Sequence, residues 1–465
     1  MDVGQANLRE STTRTPRIRD FDPANPRLNG LRRPSNQYAD GMGVSPENQV
    51  WRPRFAQSLV EQTLADTPIT VIQGARQVGK STLARQVFAD REGQLLSLDS
   101  TAAYEAARAD PDAFVRQTPG LLVIDEVQRV PELLRAMKDA VEEDRRPGRF
   151  LVTGSANLLD VPGSQESLAG RAETVALYGL SRGEVEGQRE DFVERVLAGD
   201  HETLARRAAS LTRADYLEIA CAGSYPEPMQ RTGRRRSAWF DNYLTRILDR
   251  DARELSRLAH LDRLPELVKL LAANNAGELV KARLGTAVGI PETSLPGYLD
   301  LLETLYLIHQ IPAWGNNLSG RVTGRAKVAL LDTGLAARLN NVTAAAMAPH
   351  LASDVAGDLL EAFVAGELRR QLVWSDTEAS LFHFRDREGR EVDLVLEGAD
   401  RAVAGVEVKA SSTVRAEDFK GLTFLRDKVG DRFALGVVLY TGTTPLPFGD
   451  RLWALPYSSL WTASS

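Results

Sequence analysis

Short runs of almost uninterrupted apolar residues recur through the first part of the chain. Ile69, Val71 and Ile72 form one, Leu95, Leu96 and Leu98 a second, Leu121 to Ile124 a third, and Phe150 to Val152 a fourth. Strands buried on both faces read in this way, and they belong to parallel sheets covered by helices. The pattern predicts strands ending near Ile72, at Gln94–Asp99, at Leu121–Glu126, from Arg149 onward and at Glu173–Leu180, with helices at Phe55–Leu64 and Leu83–Phe88. Residues 186–258 switch to helical patterning. Three further helices are predicted at Leu264–Ala273, Glu278–Val288 and Glu292–Leu305; in the last, Leu295, Leu299, Leu302 and Leu305 recur at intervals of four, three and three and make one apolar stripe. Strands at Tyr306–Ile311 and Lys327–Asp332 follow. From Asp354 the pattern changes again: a helix to Val373, strands at Leu381–Arg385, Glu391–Glu397 and Ala402–Lys409, a helix at Arg415–Arg426 and a strand at Phe433–Tyr440. Residues 1–48 carry no period at all and read as a disordered arm.

The predicted class is therefore α/β, divided into an arm (1–48), a parallel-sheet core (49–185), a helical lid (186–258), a winged helix (259–345) and a C-terminal α/β domain (346–465). A length of 465 residues favours about three domains. No apolar run approaches the ~20 residues of a membrane span, and the N-terminus lacks a signal-peptide apolar region. With one cysteine, Cys221, there is no disulfide framework or cysteine-based zinc site, which suits the cytoplasm. None of the five histidines (201, 260, 309, 350 and 383) joins a spaced cluster, so no transition-metal site is expected. A net charge of −6 restricts any nucleic-acid binding to local patches. Of 57 basic residues only eight are lysines, so a lysine inside a motif is more informative than usual. Lys80 and Lys409 stand where chemistry would want them.

Gly74-Ala75-Arg76-Gln77-Val78-Gly79-Lys80-Ser81-Thr82 lies between a predicted strand and a predicted helix. That is the setting of a phosphate-binding loop: glycines let successive N–H groups turn inward, and the helix N-terminus adds partial positive charge. Lys80 would reach the β- and γ-phosphates of a nucleotide, and Ser81 would complete a magnesium shell. Asp125 and Glu126 end an apolar strand, where ligands of parallel sheets collect. Asp125 would hold Mg2+ and Glu126 would deprotonate the attacking water. Ser155, or alternatively Asn157, would sense the γ-phosphate, and Arg171 would supply positive charge to the transition state from a neighbouring subunit.

The phosphate loop, the Asp-Glu strand, the Thr153-Gly154-Ser155 strand and Leu168-Ala169-Gly170-Arg171 together resemble the AAA-family P-loop ATPases of bacteria and archaea in which a domain of unknown function, DUF4143, follows the ATPase core. The resemblance runs from about Trp51 to the C-terminus and implies ATP and Mg2+ as cofactors. No Asn/Thr-Lys-x-Asp guanine-reading motif occurs, which favours ATP over GTP.

The C-terminal half points to DNA. In the winged helix, Thr293, Ser294 and the helix start are free to enter a groove, while Arg321, Arg325 and Lys327, among Gly315, Gly320 and Gly324, suit phosphate contact. Arg234-Arg235-Arg236 is a further basic cluster. The order of elements after Asp354, with Glu361, Asp393, Glu407 and Lys409, resembles restriction-endonuclease-like nucleases and archaeal Holliday-junction resolvases. That resemblance implies a nuclease site in which carboxylates hold magnesium and the lysine activates water. The order ATPase, lid, winged helix is also similar to that of bacterial branch-migration motors. The expectation is a Mg-dependent ATPase acting on branched or duplex DNA as a homo-oligomeric ring. An ATP-gated nuclease, and an ATP-dependent switch with a protein partner, are the alternatives.

Overall fold

The four apolar runs and a fifth segment after Arg171 become the strands of one parallel sheet: β1 (Ile69–Gln73), β2 (Gly93–Ser97), β3 (Leu121–Asp125), β4 (Phe150–Gly154) and β5 (Ala172–Ala176), in the order β2-β3-β4-β1-β5. β1, β3 and β4 are buried along their whole length. Their side chains alternate between two apolar layers: Val123 and Leu151 face one, Leu122, Ile124, Phe150 and Val152 the other. The helix Glu132–Glu143 covers the second layer with Leu133, Leu134, Met137 and Ala140.

The computed structural model describes residues 52–155, 168–206, 211–256, 258–315, 324–349 and 354–462. The expected arm, Asn157, Gly320 and Arg321 lie outside them. One apolar layer runs on without a break from the sheet through Tyr216, Leu264, Leu302, Leu360 and Val406 to Trp461.

After a helical stretch, β6 (Gly277–Glu278), β7 (Ile308–Ile311) and β8 (Lys327–Leu330) form a small antiparallel sheet, ordered β6-β8-β7, beside the helices Leu264–Ala273, Lys281–Val288 and Leu295–Thr304. The third of these buries Leu295, Leu299 and Leu302 as its stripe requires. The C-terminal sheet has six strands in the order β13-β14-β12-β11-β10-β9. They are β9 (Ala379–Arg385), β10 (Glu391–Gly398), β11 (Val403–Lys409), β12 (Phe433–Tyr440), β13 (Leu446–Pro447) and β14 (Leu452–Pro456). The long helix Asp354–Trp374 packs on it. Among the described residues no helix is long and apolar enough to cross a membrane.

Several expectations needed correction. The helix predicted from Glu278 starts at Lys281, because Gly277 and Glu278 pair with Val328 and Lys327 as strand β6. The fifth strand runs from Ala172 to Ala176 rather than to Leu180, because β1, its one pairing partner, ends at Gln73. β13 and β14 were not anticipated.

Three buried glutamates knit the end of the first sheet to the long C-terminal helix. Glu184 pairs with Arg54 at 3.1 Å, and Glu367 pairs with Arg370 at 3.1 Å and accepts the Arg182 N–H at 2.9 Å. Glu190 accepts the Gly183 N–H at 2.6 Å. Burial, reinforced by the neighbouring Glu367, pushes the Glu190 carboxyl up to about 8. A carboxyl whose folded pKa lies above its unfolded value near 4.5 favours folding most when protonated, and its contribution is lost as pH rises from there through about 8. Glu190→Gln is expected to leave the melting temperature nearly unchanged at pH 5 and to raise it by a few degrees at pH 8.5, as read by thermal unfolding.

Candidate functional site

The loop between β1 and the helix Lys80–Phe88 is shaped by close approach. A Cβ at Gly74 would lie 2.0 Å from the Leu177 carbonyl oxygen, so only glycine fits there. Gly79 has φ 101° and Gln77 has φ 64°, left-handed conformations that turn the backbone back on itself just before the helix starts. Lys80 opens that helix, is 4% exposed, and donates to the carbonyl oxygens of Gly74 at 3.0 Å and Ala75 at 2.8 Å. Burial lowers its ammonium to about 8, against the opposing pull of Glu126 and Asp125.

Asp125, buried at the end of β3, receives three hydroxyls. Ser81 donates to its Oδ1 at 2.7 Å, Thr153 to Oδ1 at 2.6 Å, and Ser97 to Oδ2 at 3.3 Å. A carboxylate and a serine hydroxyl facing each other here make an all-oxygen donor set. That fits Mg2+, which binds through one or two such groups and keeps its waters. Glu126 follows with φ 60° and ψ 45°, a strained conformation for a non-glycine residue, and its N–H donates to the Thr153 hydroxyl at 3.0 Å. The Gln128 amide bridges two groups, donating to the Glu126 carboxylate and, at 3.0 Å, to Ser155 Oγ.

The structure thus brings Lys80, Ser81, Asp125, Glu126 and Ser155 to one edge of the sheet. Arg171 lies elsewhere. It precedes β5 at the far end of β1, where its carbonyl accepts the Ile69 N–H, roughly 15 Å of strand away from the loop. Its guanidinium pairs with Glu142 at 2.7 Å.

Three contributors had no sequence signal. Arg54 reaches across the fold to donate to the Val78 carbonyl in the loop (2.5 Å), to the Tyr178 carbonyl (2.6 Å) and to Glu184. Asp251, at the end of the π-helix Ile247–Asp251, pairs with Arg76 of the loop at 2.5 Å. Gln128 was visible only as a polar residue two places beyond Glu126.

The C-terminal carboxylates also converge. Glu361 comes from the long helix, Asp393 from β10, and Glu407 and Lys409 from β11. Lys409 donates to Glu407 Oε1 at 2.7 Å, as expected for residues two apart on one strand. Val408 N–H donates to Asp393 Oδ2 at 2.8 Å, and Asp393 N–H to Glu407 Oε2 at 3.4 Å. Burial and the Asp393 charge push the Glu407 carboxyl up to about 8 and raise Glu361 as well. The unexpected member is Lys327. Expected on the wing as a phosphate contact, it is buried and reaches Glu361 at 2.6 Å, Glu391 at 2.9 Å and Asp393 at 3.6 Å. It is therefore withdrawn from any DNA surface.

Residues 66–186 match the family model described as an AAA domain, residues 213–346 a domain of unknown function (DUF8612), and residues 356–460 a domain of unknown function (DUF4143). Uncharacterized proteins of Mycobacterium tuberculosis and Mycobacterium bovis are each 28% identical over 417 residues, covering 89% of this chain and 85% of theirs. Among solved structures, a Walker-type ATPase of Pyrococcus abyssi is 16% identical with a TM-score of 0.36, covering 61% of this chain and 94% of that one. The RuvB Holliday junction branch migration motor of Thermotoga maritima is 16% identical with a TM-score of 0.26, covering 58% and 90%.

Proposed function

We propose that the AAA-type P-loop ATPase domain carried by this chain binds ATP with Mg2+, hydrolyses it, and couples the cycle to DNA held by the winged helix. The observation that supports nucleotide chemistry best is the convergence of Lys80, Ser81, Asp125 and Glu126 on one sheet edge. Main-chain N–H groups of residues 74–82 and the Lys80 ammonium would grip the triphosphate. Ser81 and Asp125 would hold Mg2+, which would neutralise charge on the β- and γ-oxygens. Glu126 would take the proton of the attacking water, with Gln128 and Ser155 holding its carboxylate in place. Arg171 lies too far along the sheet to serve the site of its own chain and pairs with Glu142, so only an adjoining copy in a ring could use it as a finger.

DNA is the partner that the third module suits. Thr293 and Ser294 are exposed at the start of the helix Leu295–Thr304. Lys281, Arg283 and Arg325 are exposed on neighbouring elements, and a groove of about 680 Å³ lined by Lys281 and Arg325 runs between them. Basic side chains around a free helix start are the arrangement that phosphate contacts use. The groove also holds Glu292 and Glu303, so binding would be modest, with the shallow salt dependence of a few phosphate contacts. ATP turnover measured with single-stranded, duplex and four-way DNA is expected to rise several-fold with at least one of them. A rate indifferent to all three would instead favour a protein-directed switch.

A further inference from the structure

The C-terminal carboxylate cluster has the residue types of a metal site, yet a lysine from a different part of the chain fills its centre. Lys327 is the first residue of β8, a strand of the small winged-helix sheet, while Glu361, Glu391 and Asp393 belong to the long helix and β10. Its ammonium is only 3% exposed and sits within 2.6–3.6 Å of all three carboxylates. Several other oxygens of the cluster are also engaged. Asp393 Oδ2 accepts the Val408 N–H, Glu407 accepts Lys409 on one oxygen and the Asp393 N–H on the other, and Glu391 Oε2 lies 3.5 Å from Arg385. A magnesium or manganese ion needs free carboxylate oxygens and room for its own waters around one point, and a resident ammonium takes up both. Among the described residues no group of three or more His, Cys, Asp and Glu is arranged to hold an ion, this cluster included. The donor set does not fit a divalent metal while Lys327 is in place.

The strand carrying the lysine is also tied down. The Trp314 N–H donates to the His383 carbonyl at 2.6 Å, the His383 N–H to the Pro312 carbonyl at 3.0 Å, and His383 Nε2 lies 2.9 Å from the Arg325 carbonyl. Both ends of the wing are therefore bonded to β9, two residues before Lys327 on one side. We propose that Lys327 is the resident cation of this cluster: it excludes divalent metal and turns a nuclease-like carboxylate site into an ionic anchor that locks the winged helix to the C-terminal sheet. Glu391, which no motif singled out, is part of the anchor. The lysine was legible in principle, as one of eight in the chain.

The test is Mn2+ uptake by the full chain, read from the loss of the free-ion electron paramagnetic resonance signal, in wild type, Asp393→Asn, Lys327→Met and the double variant. Any ion held near the phosphate loop is common to all four. Wild type and Asp393→Asn are expected to take up equal Mn2+. Lys327→Met is expected to take up one more equivalent per chain, lost again in Lys327→Met/Asp393→Asn. Uptake by wild type that Asp393→Asn abolishes would overturn the proposal, as would a folded Lys327→Met that gains nothing. Circular dichroism establishes folding. Should Lys327→Met fail to fold, wild type against Asp393→Asn decides alone: equal uptake upholds the proposal and a deficit in the variant overturns it.

Discussion

Lys80→Ala is expected to lower ATP turnover by at least two orders of magnitude and to weaken ATP binding in parallel. Lys80 is buried at the start of the helix Lys80–Phe88 with two carbonyl oxygens as its hydrogen-bond partners. Phosphate oxygens carrying full negative charge would take the place of those carbonyls and make far stronger, charge-assisted bonds. An electrostatic donor aimed at developing charge is worth about 10²–10³ in kcat when removed from a water-excluded site. Alanine keeps Gly74, Gly79 and Asp125 and removes only the ammonium with its bonds to the Gly74 and Ala75 carbonyls, so an unchanged melting temperature would assign the loss to the ammonium and not to the fold. The pH dependence follows from the same group. Burial holds its pKa at about 8, and a bound triphosphate would raise it. Affinity is then level below pH 8 and falls as pH rises past that value, by up to about tenfold per unit, while the bound form stays protonated. Titration calorimetry at pH 7, 8 and 9 on wild type measures both effects, with Lys80→Ala as the reference.

Glu126→Gln is expected to separate binding from chemistry. The glutamate stands just past the end of β3, in a left-handed conformation, with its carboxylate accepting from Gln128. Strain of this kind costs on the order of 1–3 kcal/mol and persists where the surroundings impose it, as the Thr153 hydroxyl does through the Glu126 N–H. The amide keeps the shape but cannot accept a proton from water, so turnover should fall by about 10²–10⁴. ATP affinity should stay within about twofold, because the grip on the phosphates is assigned to other groups. Single-turnover kinetics with radiolabelled ATP distinguishes the outcomes. A variant that hydrolyses at the wild-type rate would mean the base is another residue.

The central sheet and the loop were legible because their signals are local. Ile69–Gln73, Leu121–Asp125 and Phe150–Gly154 are apolar runs, and Gly74 to Thr82 is a contiguous motif in the right context. What the sequence concealed depends on contacts between distant positions. Arg54 braces the loop from 24 residues away at Val78 and 130 at Glu184, and Asp251 reaches Arg76 across 175. No window along the chain contains both partners. Lys327 misled for a related reason. Two places after Arg325, in a glycine-rich stretch, it reads as an exposed wing cation, but Lys327 opens β8, a strand buried along its whole length, and reaches Glu361, while Arg325 precedes the strand and stays at the surface. β13 and β14 escaped because a two-residue strand ending in Pro447 and a strand ending in Pro456 look like turn material. The boundary at Lys281 was hidden because Gly277 and Glu278 became a strand only by pairing with β8.

The account rests on a triphosphate being held by the 74–82 loop and Lys80, with Ser81 and Asp125 opposite. Titration calorimetry of Mg-ATP into the purified full chain at pH 7 tests this most directly. One ATP bound per chain, abolished by Lys80→Ala and retained by Glu126→Gln, is the predicted result. No measurable binding, or binding that survives Lys80→Ala undiminished, would contradict it.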